Sequence, residues 1–270
     1  MGAFGMKKIR FYVNSEKQEA RARYIALAAR CAAYGLVETQ GPDAEALVAL
    51  GGDGTILRAV REFGDLPVLG LNLGGLGYLA SVGIGEAEQA LGLLAEERYA
   101  ISSRTLLEAH KDDGTGLALN DIVITREYSG HSVRLDLTAD GKRVTRYMAD
   151  GLIFATPTGS TAYSLAAGGP VLLPDSASVV VTPLSPHALG VRPLVVSDSV
   201  RFSVTACSRT NGNEVRVGVY ADGAKVLTLD VGESVEIVKS AKVARLIELE
   251  GYDPYDVLAR KLGWNGSNVR

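Results

Sequence analysis

The chain sets one carboxylate, Asp53, inside "GGDGT" (residues 51–55), directly after the apolar run "ALVAL" and before a helical pattern. Glycine is conformationally costly unless the backbone bends sharply or approaches something closely. A carboxylate in such a turn can meet a hydroxyl or a metal ion. The N–H groups of Gly51, Gly52, Gly54 and Thr55 are placed to meet a phosphate, because a helix N-terminus favours an anion. The competing reading is a tight turn with Asp53 as a helix cap. The chain has no G-x-x-x-x-G-K-[ST], which excludes a P-loop, and the spacing is not G-x-G-x-x-G either.

Three further segments carry chemistry. "NLGGLGYLA" (72–80) is a second glycine-rich stretch after an apolar run, with Asn72 as its polar residue. In "LNDIVITR" (119–126) the Asn120 amide can both donate to and accept from an adenine edge. Asp121 beside it can chelate a ribose diol, although a turn before a strand explains the same pair. "DGLIFATPTGSTAYSLAAGGP" (150–170) breaks at Pro157 and Gly159, then crowds the hydroxyls of Thr158, Ser160, Thr161, Tyr163 and Ser164 together. An aromatic beside small residues suits a flat ring such as a nucleobase; a Ser/Thr-rich helix cap is the plainer alternative.

The elements that position these residues change character along the chain. A strand is predicted over Lys8–Val13, then a helix from Ser15, whose Ser15-x-x-Gln18 fits a capping box, through Ala33 with Gly35 as its stop. Strands over 46–50 and 66–72 alternate with helices over 55–63 and about 85–97, the signature of a parallel α/β sheet. Glycine-rich loops after two neighbouring parallel strands share the sheet edge at which open α/β sheets bind ligands. From about residue 100 the runs are almost all strand-like, with hairpin signals at "DDGTG", "ADGK" and "ADGA". A last helix has Asp253 as cap, Pro254 at its first position and Gly263 as stop.

With 47% apolar and 22% charged residues the composition is that of a folded globular chain. Its 28 Lys and Arg against 31 Asp and Glu leave a net charge of −3, which gives no footprint for nucleic acid or an anionic membrane. Neither is an expected partner, and a polyanionic ligand has to be held by local groups. Cys31 and Cys207 are expected as buried thiols in a reducing compartment. The three widely separated histidines offer no zinc spacing. No apolar run reaches the length of a membrane span and no signal-peptide core is present, so the expected location is cytoplasmic.

Taken together, Gly51-Gly52-Asp53-Gly54-Thr55, the Asn72…Gly77-Tyr78-Leu79 loop, Asn120-Asp121 and Asp150-Gly151…Thr156-Pro157-Thr158-Gly159-Ser160-Thr161-Ala162-Tyr163 resemble the NAD kinase family. "SPHALGVRPLVV" (185–196) is a fifth match, and the likeness runs over roughly residues 7–260. The resemblance implies transfer of the ATP γ-phosphoryl group to the 2′-hydroxyl of the adenosine ribose of NAD, giving NADP. Mg²⁺ or another divalent cation is expected to come with ATP, NAD is the substrate, and no dedicated metal cage is expected in the chain. The implied fold class is α/β + β: an N-terminal parallel α/β domain over 1–100, joined by the segment 248–270 whose helix packs back, and a β-sandwich-like NAD-binding domain over 101–247. A homodimer or homotetramer is implied as well.

Carried over residue by residue, Asp53 is the catalytic group at the 2′-hydroxyl, Gly54 leaves room for it, and Gly51, Gly52 and Thr55 form the phosphate loop. Asn120 and Asp121 hold the adenosine half. Thr158, Thr161, Ala162, Tyr163, Ser164, Leu165 and Ala166 wall the dinucleotide, and Asp150 reaches NAD across a subunit interface. Arg58, Tyr78, His131 and Ser185 fall at further NAD-contact positions. The chain departs from the family's pattern at Asp121, where most members carry Glu, at Met148 for Arg in several bacterial members, at Ala224 for Gln, and at Tyr78 for Phe. A lipid kinase of the diacylglycerol kinase type shares GGDGT, but would call for a basic or apolar membrane-facing surface. A non-enzymatic dinucleotide sensor on the same scaffold would have lost Asp53.

Overall fold

The computed structural model describes residues 7–14, 18–75, 77–80, 82–127, 132–207 and 216–264. It divides into two compact units, one of residues 1–103 with 244–270 and one of residues 104–243.

The first unit alternates strand and helix. β1 (Lys7–Val13), α1 (Gln18–Ala28), β2 (Leu36–Glu38), β3 (Ala46–Gly51), α2 (Asp53–Glu62), β4 (Val68–Asn72), β5 (Val82–Gly83) and α3 (Ala87–Ala95) follow in chain order. The parallel order is β2-β1-β3-β4, with β5 also on β4. β3 and β4 are buried along their whole lengths, as their unbroken apolar sequences require of strands covered on both faces. α2 buries Thr55, Ile56, Ala59 and Val60 and leaves Arg58 on its outer face. The long helix predicted up to Ala33 is instead α1 followed by a 3₁₀ turn over Cys31–Tyr34. There the bonds tighten to Ala33 N–H on Arg30 O and Gly35 N–H on Ala32 O, and Gly35 closes the turn in the left-handed region, φ 74°. Ser15, the predicted cap, lies outside the described residues.

β6 (Tyr99–Lys111) leads into the second unit, which is almost entirely antiparallel. β7 (Gly114–Ala118), β8 (Asp121–Arg126), β9 (Val133–Ala139), β10 (Lys142–Ala149) and β11 (Gly151–Ala155) come first. A 3₁₀ turn over Thr158–Thr161 and the single-turn α4 (Tyr163–Ala166) follow. β12 (Ser178–Leu184), β13 (Leu194–Ser197), β14 (Phe202–Cys207), β15 (Val217–Ala221), β16 (Ala224–Leu229) and β17 (Ser234–Leu249) complete it. One sheet runs β13-β12-β11-β8-β15-β16; the other contains β10-β9-β14-β17 and the β6–β7 hairpin. Their inner faces share one core, in which Phe154 of β11 meets Phe202 of β14 with ring centroids 5.1 Å apart. That is the β-sandwich-like arrangement expected. The predicted hairpin turns hold left-handed residues at Asp112, at Asp140 with Gly141, and at Asp222 with Gly223.

The end of β17 returns to the first unit, where Leu246 pairs in parallel with Val68 of β4. The last helix, α5 (Pro254–Leu262), belongs to the first unit too. Asp253 caps it by accepting from the N–H groups of Tyr255 and Asp256, and Gly263 ends it at φ 67°.

Candidate active site

In the first unit Gly52, not Asp53, is the N-cap of α2. The Asp53 side chain makes no capping bond and turns to the second glycine-rich loop. Its Oδ2 accepts from the N–H of Tyr78 at 3.0 Å, and its Oδ1 from those of Leu79 and Ala80 at 3.1 and 3.0 Å. Gly77 permits this approach: a Cβ there would stand 2.1 Å from Asp53 Oδ1. Asn72 holds the same loop from its other side, donating to Gly75 O and Ala80 O and accepting from Gly74 N–H. Asn72 thereby has both N–H donors engaged inside the loop and is buried, whereas the carboxylate of Asp53 remains half-exposed with one acceptor position unused. Gly54 and Arg58 are exposed beside it. Among the predicted phosphate-loop donors Thr55 is buried, and its N–H donates to Gly52 O at 2.8 Å, which closes the first turn of the helix.

Tyr78 lies in the same loop with its hydroxyl buried and without a hydrogen-bond partner among the described residues. Burial and, secondarily, the charge of Asp53 raise its pKa. The ammonium of Lys261 on α5 sits 5.5 Å from the ring centroid.

In the second unit Asn120 and Asp121 meet the TPTGSTAY turn. Thr156 N–H donates to Asn120 O at 2.9 Å and the Thr156 hydroxyl to Leu119 O at 2.6 Å. Gly159 lies so close that a Cβ on it would be 1.9 Å from Asn120 O. Thr158 is buried, Thr161, Ala162 and Leu165 are half-buried, and Tyr163 and Ala166 are exposed. Ser164 is fully buried and its hydroxyl is bonded to that of Thr182 at 2.8 Å. Ser160 is tied inward as well, to Pro157 O and Leu172 N–H.

Asp121 is 6% exposed. Burial first, then the charge of Asp222, push its carboxyl up to about 7. The consequence for stability has a definite sign. Between the ordinary carboxyl range near 4 and about 7 the folded chain holds a proton that the unfolded chain releases, so stability falls as pH rises through that window. Asp121→Asn should therefore gain stability relative to the native chain as pH increases, by a few kcal/mol between pH 4.5 and 7.5. Urea unfolding at the two pH values measures this; an unchanged difference would refute the buried-carboxyl assignment.

Asp150 and Ser185 occupy a different place. In the β8–β11 ladder Ala155 is opposite Asp121 while Gly151 is opposite Thr125, so the two ends stand roughly 13 Å apart. At the far end Asp150 is held by Arg126, whose two terminal nitrogens lie 2.7 and 3.1 Å from its two carboxylate oxygens. Asp150 N–H bonds Leu184 O, and the adjoining Ser185 is exposed with a left-handed backbone, φ 45°. His131 lies outside the described residues.

Sequence reasoning missed two side chains here. Asp222, within a stretch read only as a hairpin signal, accepts from the N–H groups of Leu119, Asn120 and Asp121. Arg126, the last residue of a segment read for its second and third, orients Asp150. No group of three His, Cys, Asp or Glu placed to hold a metal occurs among the described residues. Both cysteines are unpaired, Cys31 buried and its thiol pushed up to about 11 by that burial. No described helix is long and apolar enough to cross a membrane.

Comparison with known proteins bears on the whole arrangement. Residues 7–99 match the model of the ATP-NAD kinase N-terminal domain and residues 119–249 that of the C-terminal domain. The NAD kinase of Symbiobacterium thermophilum is 40% identical over 247 residues, 88% of this chain and 86% of the relative. That of Syntrophotalea carbinolica is 39% identical over 81% of this chain and 78% of its own length. Among solved structures, yeast NADH kinase complexed with NADH superposes with a TM-score of 0.87 at 27% identity, over 97% of this chain and 89% of the other. An NAD kinase from Archaeoglobus fulgidus in complex with ATP gives 0.76 at 26% identity, over 96% and 99%. Two glycine-lined loops joined through one aspartate, and matches over both halves of the sequence, lead to one conclusion: the chain belongs to the ATP-NAD kinase family.

Proposed function

We propose that Asp53 accepts the proton of the adenosine 2′-hydroxyl of NAD while the γ-phosphoryl group of ATP is transferred to that oxygen. The overall reaction, phosphorylation of NAD by ATP, is that of the family to which the chain belongs. The observation that carries the finer reading is the carboxylate of Asp53, fixed by three backbone donors and still open at Oδ2. Oδ1 has two donors and Oδ2 one, so Oδ2 is the oxygen that receives the hydroxyl. A ribose hydroxyl loses its proton late in a loose phosphoryl-transfer transition state, so a base of ordinary strength suffices if it is correctly placed. The three N–H donors supply that placement.

Asn120 and Asp121 hold the adenosine: the carboxyl of the largely buried Asp121 accepts from the ribose hydroxyls, and Asn120 offers its amide to the base. The half-buried Thr161 and Ala162 with the exposed Tyr163 line the dinucleotide. The N–H groups of Asp53 and Gly54, in the first turn of α2, have no intrahelical acceptor and face phosphate. Without a converging set of metal ligands among the described residues, the chain fits a divalent cation, Mg²⁺ by preference, that is carried in on ATP. That ion neutralises phosphate charge when bound. Asp150 and Ser185, some 13 Å from Asp121 along the ladder, reach NAD from a second copy of the chain, which makes the active species a homo-oligomer.

The test is formation of NADP from NAD and Mg-ATP by the purified chain, with phosphorus NMR of the product. A 2′-phosphate resonance, lost when EDTA replaces the metal, is expected. A phosphate on any other position, or none with any donor, overturns the reading.

A further inference from the structure

We propose that Asp222 is a positioning residue of the nucleoside site: from the tip of the β15–β16 hairpin it fixes the 119–121 turn, and thereby the directions of the Asn120 amide and the Asp121 carboxyl. The inference rests on the adenosine role proposed for those two residues.

The geometry is specific. Asp222 Oδ2 accepts from Leu119 N–H at 2.8 Å, and Oδ1 from Asn120 N–H at 2.8 Å and Asp121 N–H at 3.2 Å. The Asp222 N–H donates back to Asp121 O at 3.0 Å. Four hydrogen bonds thus join two residue stretches about a hundred positions apart in sequence. Asp222 has the left-handed backbone, φ 46°, that a tight hairpin turn demands, and Gly223 beside it has φ 78°. A serine or threonine there could not accept from three donors, and an asparagine has one acceptor oxygen where the carboxylate has two.

The arrangement sets two carboxyl groups close together, one of them buried. Of the elements next to Asp121, β11 contributes Ala155 and the following turn Thr156 and Thr158, none of them charged. β15 contributes Ala221, and the turn after it Asp222. Asp222 is therefore the charge that acts on Asp121, and it raises the cost of ionising it. The three backbone anchors stabilise the turn against that repulsion, and they hold the hydroxyl-binding carboxyl in one orientation.

Asp222→Asn is expected to raise the KM for NAD at least tenfold while changing kcat less than threefold, and to move the pH at which KM(NAD) changes downward from near 7. Asp222→Glu should raise KM as well but keep that pH, because the charge stays. A folded Asp222→Asn enzyme with native KM(NAD) and an unmoved pH profile would overturn the proposal. The native chain provides a test that needs no variant. Amide exchange at residues 119–121 should already be slow without NAD; exchange that slows only on adding NAD would equally refute a preset turn. That result is independent of turnover, so absence of NADP formation would sink the reading of the site while leaving the exchange test of Asp222 intact.

Discussion

Asp53→Asn lowers kcat by a factor of 10² or more with NAD still bound: this is the expected result with the largest effect on chemistry. A positioned base contributes about 10² to 10⁴ to rate, and the asparagine cannot take the hydroxyl proton. The structure adds a second consequence that the sequence motif does not announce. The carboxylate also gathers the N–H groups of Tyr78, Leu79 and Ala80, and the amide keeps only one oxygen for them. At least one N–H then faces an NH₂ group. Hydrogen bonds to a charged acceptor contribute about 1.5–3 kcal/mol each, so a measurable fall in Tm accompanies the loss of rate. The two effects are separable by calorimetric titration with NAD alongside single-turnover kinetics. Retained binding with rate within threefold of the native enzyme would remove Asp53 from the phosphoryl-transfer step.

The second large effect is expected at Gly159, by exclusion of a single methyl group. A Cβ at this position meets Asn120 O at 1.9 Å, its carbonyl carbon at 2.3 Å and its Cα at 2.6 Å, all of them backbone. No side-chain rotation relieves that contact. Gly159→Ala must push the 156–161 turn off residues 119–120, breaking the bonds from Thr156 N–H and the Thr156 hydroxyl. Overpacking costs about 1–3 kcal/mol, and each lost hydrogen bond about 1 kcal/mol more. A chain of this size should then melt roughly 10 °C lower. The KM for NAD rises more than tenfold, because the same movement separates Asn120 from the wall of the site. Thermal unfolding and initial rates check both parts; a Tm within about 2 °C of the native value would show that the turn has room the structure does not give it.

What the sequence made legible was local. Strand–glycine–helix at 46–62 predicted β3 and α2, and the Asp-Gly pairs at 140–141 and 222–223 predicted two left-handed hairpin turns. Asp253, Pro254 and Gly263 marked both ends of α5 to the residue. Each of those signals is a preference of one residue for one backbone conformation. The features that resisted prediction are pairings over distance. Asp53 and its donors are 25 to 27 residues apart, and Asp222 and its donors 101 to 103. Nothing in a window of ten residues says which loop a carboxylate will reach. The hydroxyls of Ser160 and Ser164 show the same limit: their spacing does not say that Ser160, in the 3₁₀ turn, bonds Pro157 O and Leu172 N–H, or that Ser164, in α4, pairs with Thr182 eighteen residues on.

The first unit is discontinuous, and this bears on its birth at the ribosome. Residues 104–243 form one uninterrupted stretch, so the second unit has all its strands, up to the paired part of β17, once that stretch has emerged. The first unit begins to be made earlier but lacks the β17 segment that pairs with β4, and lacks α5, until the last residues follow. Synthesis usually lets N-terminal domains fold first. Here chain order favours the reverse: the unit bearing Asp53 has all its strands and its last helix only after the whole stretch of the second unit has emerged.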